Sequence, residues 1–440
     1  MKMKIKTGPK ILSFVGVFLV MGFPHIAHAE MTVQFWHSMS GGKAQLIDSM
    51  VQEFNDQPQN KGKVKVQAQF VGTYEEGLNK TRTALLAKRA PHIVQITDVG
   101  TQVMVDTNAA EPLQNFIDKD ASFPIKEILP QFVQYYQING KLFSLPFATS
   151  NPIIYYNADA FSKAGIQGTP KTFVELREVA KKLTNKEQKF YGITWPLHSW
   201  LFEQFLAKQG QTLLNNSNGR VGRGTEINLL SAEALAFANL WADMVKEGSF
   251  TNVGRGWDPA EQNFVSGRSA MLISSSSDVF IFQSKAPFKL LTAPLPSKDP
   301  KVKGGTVVGG NSLWILKGKP AEEQQAAYEF IKWMASKPMQ RKWHINTGYF
   351  PIRADLITDL QKEGFYKKNR AAWTIIQQLQ SSPSMPATAG ALAGVFPELR
   401  EQIESAMERI LNNGESPEVS LKKAKVEIEK ALARYNKGRI

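Results

Sequence analysis

The hydrophobic positions of this chain change period repeatedly along its length. Met31–His37 is a strand-like run, Val64–Phe70 alternates apolar and polar residues as a half-buried strand does, and residues 93–96 form a short buried strand. Between them, residues 43–55 carry Leu46, Ile47, Met50, Val51 and Phe54 on one helical face, and residues 73–88 form a second helix. This β-α-β-α-β order predicts a largely parallel sheet with helices on its faces. Ligands of such sheets bind at the carboxyl ends of the strands, which singles out residues 36–42, 72–75 and 97–100. A second set follows, with strands at 152–156, 191–195, 270–274 and 289–293. Its helices are a short one at 158–164, one opened by the capping box Thr172-Phe173-Val174-Glu175, and a long one over 231–247 stopped by Gly248. Residues 321–335 are helical, and the chain beyond Pro351 is mostly helix, closing with 397–411 and 417–435. Two α/β lobes fit this order.

Ahead of these elements, Lys2, Lys4, Lys6 and Lys10 introduce an apolar run over residues 11–23, then Pro24 and Ala27-His28-Ala29. That is the pattern of a secretory leader over residues 1–29, cut before Glu30, and the run is shorter than the roughly 20 residues that span a bilayer. No cysteine is present to carry a lipid anchor, so the mature chain is expected free in the periplasm. A length of 440 residues predicts two domains or two lobes, and an apolar fraction of 42% is that of an ordinary globular protein. The missing cysteines exclude disulfides, thiol catalysis, Cys-ligated zinc and iron–sulfur clusters. Loss of the four leader lysines lowers the net charge from +14 to +10. The remaining basic residues are scattered, as on solvated helix faces, so no nucleic-acid partner is expected.

Catalysis finds no foothold in the motifs. His37, His92, His198 and His344 lack metal-ligand spacing, and neither a nucleophile elbow nor a phosphate-binding glycine loop is present. Ser38, Ser40 and the run Ser274 to Ser277 have no recognisable activating partner, so they read as hydrogen-bonding or turn residues. The chain therefore reads as a binding protein rather than an enzyme, with no metal and no cofactor. What it offers instead is aromatic residues among turn signals: Trp36, Tyr74, Trp195, Trp200 and Tyr349. Aromatic rings at strand ends suit a ligand with C–H faces and hydroxyls. Packing at a core edge is the alternative for each, and is the expectation for Trp36.

Several segments carry a resemblance. Phe35-Trp36-His37-Ser38-Met39, Gly72-Thr73-Tyr74-Glu75, Thr97-Asp98-Val99-Gly100-Thr101 and the stretch PIIYYNADAF from Pro152 resemble the solute-binding proteins of ATP-driven (ABC) importers. Val308-Gly309-Gly310-Asn311-Ser312-Leu313-Trp314 and Thr347-Gly348-Tyr349-Phe350-Pro351-Ile352 extend the likeness to the C-terminal half. Within that family, which includes maltose binders, the glycerol-phosphate binders are the most similar. The resemblance implies an α/β fold of the periplasmic binding protein type II class, two α/β lobes joined by a multi-crossing hinge. One lobe would hold residues 30–147 and 311–348, the other 148–310 and 349–440, with crossings near 146–151, 306–310 and 348–353. It also implies ligand positions at Tyr74, Asp98, Ser150, Ser275, Gly310, Tyr349 and Arg400, with Trp195 and Trp200 in the tryptophan-bearing segment. Asp98 stands where the glycerol-phosphate binders carry a glutamate, one methylene longer. The implied ligand is glycerol 3-phosphate or a glycerophosphodiester, delivered to membrane permease subunits with their ATPase; a neutral sugar or oligosaccharide is the alternative. An Arg fork suits a phosphate, which assigns Arg400 to that group and Asp98 to the glycerol hydroxyls at the other end.

Overall fold

The computed structural model describes residues 1–4, 8 and 30–438; the leader expected over residues 1–29 otherwise lies outside the described residues. Two sheets organise the chain. The first runs in the order Val64–Phe70, Met31–His37, Ile93–Thr97, Gly309–Leu316, Ala110–Glu111, and Leu145–Ser150 also pairs with Gly309–Leu316. The three N-terminal strands are parallel, as their β-α-β order requires. Gly309–Leu316 lies antiparallel to Ile93–Thr97 because it re-enters this lobe from the other one. The second sheet has the order Leu290–Ala293, Pro152–Asn157, Ser269–Ser275, Tyr191–Thr194.

The chain passes between the sheets three times: through Asn151, between residues 293 and 309, and between helices Lys337–Thr347 and Ala354–Lys362. Buried Asn151 ties two passages together, its side-chain amide donating to Thr306 Oγ1 at 3.0 Å. Its backbone N–H donates to Ser276 Oγ at 3.2 Å. Such polar ties at a crossing hold its geometry.

Helices bury one stripe each against the sheets, and the largest buried cluster reaches from Phe35 and Leu313 of the first sheet to Tyr155 and Leu272 of the second. Gly41–Asn55 buries Ile47, Met50, Val51 and Phe54, with the Phe54 ring 5.2 Å from Phe330 of helix Ala321–Met334. In the second lobe, Ala232–Glu247 buries Phe237 and Trp241. Full burial of one such side chain contributes roughly 1.5–3 kcal/mol. Helix starts follow the capping chemistry with one difference. The Thr172 hydroxyl accepts from Glu175 N at 3.1 Å, but Glu175 reaches back to the N–H of Lys171, at 2.6 Å, rather than to that of Thr172. The reciprocal box forms instead at Thr73 and Glu76, opening helix Tyr74–Leu86.

Candidate functional site

A cleft of about 330 Å³ lies where the two lobes face each other, and eight of the nine expected residues line it: Tyr74, Asp98, Ser150, Trp200, Ser275, Gly310, Tyr349 and Arg400. They come from both lobes and from the passages between them. Tyr74 is the first residue of its helix, and Gly72 makes the preceding turn possible. Its φ is +99° and a Cβ there would stand 2.1 Å from the Glu76 carboxylate that closes the box. Asp98 opens the turn after Ile93–Thr97 and is fixed by the Thr97 hydroxyl and the Val99 N–H, each 2.9 Å from Oδ1. Trp200 lies on helix Ser199–Lys208 against bare backbone, since a Cβ on Gly309 would meet its ring at 2.8 Å.

Trp195 is a correction. It is fully buried, with its ring 4.5 Å from Phe250 and 5.2 Å from Trp241, deep in the second core. It lies at the end of Tyr191–Thr194 and faces the helices behind the sheet, whereas Trp200 lies beyond the turn and faces the cleft. Trp36 is only half-buried, against the small cluster that contains Leu78 and Val94. Gly310 also serves the packing of its strand. With φ at +108°, a Cβ would stand 2.0 Å from the Ala148 carbonyl oxygen, so its missing side chain admits the neighbouring strand.

Hydroxyl groups crowd one part of the cleft. A relay of hydrogen bonds runs from the Ser38 N–H to Gln95 (2.8 Å), from the Gln95 amide to Asn311 (2.7 Å), and from the Asn311 amide to the Tyr74 hydroxyl (3.1 Å). Tyr74, which burial keeps protonated, donates a hydrogen bond to the Tyr349 hydroxyl. The Tyr349 hydroxyl lines the cleft. Ser275 and Ser277 share a hydrogen bond of 2.9 Å beside it. Lys43 stands over the Tyr349 ring, 4.9 Å from its centroid, and pairs with Asp278 at 3.1 Å across the lobes.

The other part is built on charge. Arg400 directs Nε to Glu203 Oε1 at 2.9 Å and Nη2 to Glu203 Oε2 at 3.4 Å, while Asp98 Oδ2 is 3.6 Å from Nη2. Asp98 therefore stands beside Arg400, not at the opposite end of the site. Two carboxylates flank one guanidinium, and a phosphate brought to Arg400 would meet both of them. Burial pushes the Glu203 carboxyl up to about 7, Arg400 pulls it down, and Asp98 and Glu404 push it up again. Burial likewise holds His198 at about 3, assisted by Arg400, so its ring is neutral. The His198 Nδ1 accepts from the Trp200 N–H at 3.1 Å, which leaves the proton on Nε2.

Sequence reasoning did not find Lys43, Glu203, Trp257, Asp258, Glu261 or Asp278. Glu203 carried a signal, being a lone carboxylate within the apolar run Trp200-Leu201-Phe202 and Phe205-Leu206-Ala207. Asp258 and Glu261 lie on helix Trp257–Val265, whose Trp257 ring is 5.8 Å from that of Trp200. Burial raises the Glu261 carboxyl to about 7, with Asp278 adding to the effect. Among the described residues no group of three or more His, Asp or Glu is arranged to hold a metal ion.

Comparison with known proteins agrees with this geometry. Residues 49–373 match the family model described as bacterial extracellular solute-binding protein. The sn-glycerol-3-phosphate-binding periplasmic protein UgpB of Salmonella typhimurium is 31% identical over 434 residues, covering 96% of this chain and 98% of that one. Its counterpart in Escherichia coli K12 is 30% identical over 442 residues, covering 98% and 99%. Among solved structures, UgpB of Mycobacterium tuberculosis in complex with glycerophosphocholine superposes with a TM-score of 0.77 at 19% identity, covering 92% of this chain and 99% of that one. A substrate-binding protein of Listeria monocytogenes in complex with cycloalternan gives 0.77 at 21%, with the same coverage. At those identities the structures speak for the fold alone. With a cleft between two lobes, three passages joining them and a family match over most of its length, the chain belongs to the bacterial extracellular solute-binding proteins.

Proposed function

We propose that this protein is the periplasmic receptor of an ATP-driven importer and captures a polyol phosphate, either glycerol 3-phosphate or a glycerophosphodiester. Full-length likeness to glycerol-phosphate binders supports the ligand class. The observation that carries the reading is the division of the cleft into a donor-rich hydroxyl cluster and an Arg400–Asp98 couple. A phosphate needs many donors, which Ser150, Ser275, Tyr349 and Lys43 supply beside the Asp278 carboxylate that pairs with Lys43. A diol needs a donor and an acceptor side by side, which Arg400 and Asp98 supply. The phosphate is thus assigned to the serine and tyrosine part and the glycerol hydroxyls to Arg400 and Asp98. Closure of both lobes on the ligand would present one surface to the membrane permease, whose ATPase drives transport.

A neutral sugar or oligosaccharide is the second reading, favoured by the Trp200–Trp257 ring pair, which could cover the C–H face of a sugar. A thermal-shift screen of protein freed of ligand by unfolding and refolding separates the two. Glycerol 3-phosphate and glycerophosphocholine should raise Tm in proportion to the logarithm of their concentration, with maltose without effect. A response to maltose alone would replace the phosphate reading with the sugar reading.

A further inference from the structure

Glu203 does not line the wide part of the cleft. Its side chain is 11% exposed, and it lines a separate cavity of about 10 Å³, room for about one water, together with Asp98, Tyr135 and Trp200. It grips Arg400 from behind through Nε and Nη2, which leaves Nη1 without a hydrogen-bond partner among the described residues. Arg400 is thus held rigidly and its charge is compensated before any ligand arrives. The groups facing Glu203 are Arg400 and Glu404 from helix Phe396–Asn413, Asp98 from the turn after Ile93–Thr97, and Tyr135 from helix Pro130–Tyr136. With Glu203 and Asp98 both ionised, this group of three carries one net negative charge around a single Arg.

Resting on the polyol-phosphate reading, we propose that Glu203 is the specificity-determining residue of the cleft: by neutralising Arg400 it makes that end read hydroxyls and reject a second anionic group. An arginine alone would bind a carboxylate through its fork. Clamped between two carboxylates, it offers directed N–H groups without net attraction for an anion. Rejection by uncompensated like charge is a general route to specificity. The class excluded is glycerol phosphates in which a carboxylate replaces a hydroxyl-bearing carbon, of which 3-phosphoglycerate is the simplest probe. Protonation of Glu203 removes the net negative charge, so discrimination should weaken as pH falls through about 7.

The test is calorimetric titration of the full-length mature protein with glycerol 3-phosphate and 3-phosphoglycerate, in wild type and E203Q, at pH 6 and pH 8. The second phosphate ionisation near pH 6 is common to both ligands and cancels in the ratio of their affinities. Wild type should favour glycerol 3-phosphate at pH 8 by a factor that shrinks at least tenfold at pH 6. E203Q should show the smaller factor at both pH values. The wild-type pH comparison, repeated in E261Q because the Glu261 carboxyl is also raised to about 7, stands even if E203Q folds poorly. A ratio unchanged by pH and by E203Q, with glycerol 3-phosphate still bound, would overturn the role of Glu203 alone. Absence of glycerol 3-phosphate binding by wild type would overturn the ligand reading itself, and this proposal with it.

Discussion

At Arg400 one guanidinium separates two enclosed carboxylates, so its removal acts on folding as well as on binding. Arg400→Ala should weaken polyol-phosphate binding at least a hundredfold and destabilise the protein by about 3–5 kcal/mol, because it leaves Glu203 and Asp98 facing each other unpaired. Adding Glu203→Gln should recover part of the stability in denaturant unfolding and none of the binding. Equal stability of Arg400→Ala and wild type would contradict the buried pairing. A second expectation concerns pH. The carboxyls of Glu203 and Glu261 are raised to about 7, above their ordinary 4.5, so between those values the folded state holds more protons than the unfolded chain. Their contribution to stability is full below about 4.5 and is lost as pH rises through 7. The ligand-free Tm should therefore fall between pH 5 and pH 7.5, and the double substitution E203Q/E261Q should flatten that slope. The limits of sequence reasoning are clearest at this scale. Trp195 and Trp200 share a segment and a residue type, yet one is core and the other cleft. Which way each ring faces depends on Phe237, Trp241 and Phe250 for the first and Gly309 for the second, all far along the chain.

Elements with a strong local period were legible to within a few residues. Val64–Phe70 alternates so regularly that its bounds are the strand bounds, the strand-like run Met31–His37 is a strand over the same residues, and Gly248 stops its helix in the left-handed conformation its position suggests. Two short helices that carry site residues, Ser199–Lys208 and Trp257–Val265, were not. The first is apolar nearly all round, which removes the stripe that marks an amphipathic helix. The second follows a Gly-rich turn and is only nine residues long. Strand Gly309–Leu316 shows what one backbone position can require. Gly310→Ala would bring a methyl against the Ala148 carbonyl at a φ of +108°, so it should cost about 1–3 kcal/mol in denaturant unfolding. A neutral outcome would mean that the passage between lobes tolerates a shifted strand.

At the scale of the whole molecule, contacts distant in sequence join the lobes around the cleft. Lys43 pairs with Asp278 at 3.1 Å, and Arg223 forks onto Asp106 at 3.1 and 3.0 Å, with the Tyr435 hydroxyl donating to the same carboxylate at 2.7 Å. None of these pairings could be read from the sequence, because each joins surfaces that meet only when the lobes do. Asp106 lies outside the ligand cleft, so Asp106→Asn should weaken ligand binding severalfold by releasing the lobes rather than by losing a ligand contact. Small-angle scattering should then show a larger radius of gyration without ligand; an unchanged radius and affinity would mean that this contact does not bias closure. The central claim is that the cleft holds a polyol phosphate between the lobes. Calorimetric titration of refolded, ligand-free protein with glycerol 3-phosphate, glycerophosphocholine and maltose tests it most directly. Saturable one-to-one binding of a phosphate ligand, with maltose silent, is the expected result. Silence toward both phosphates would contradict the account.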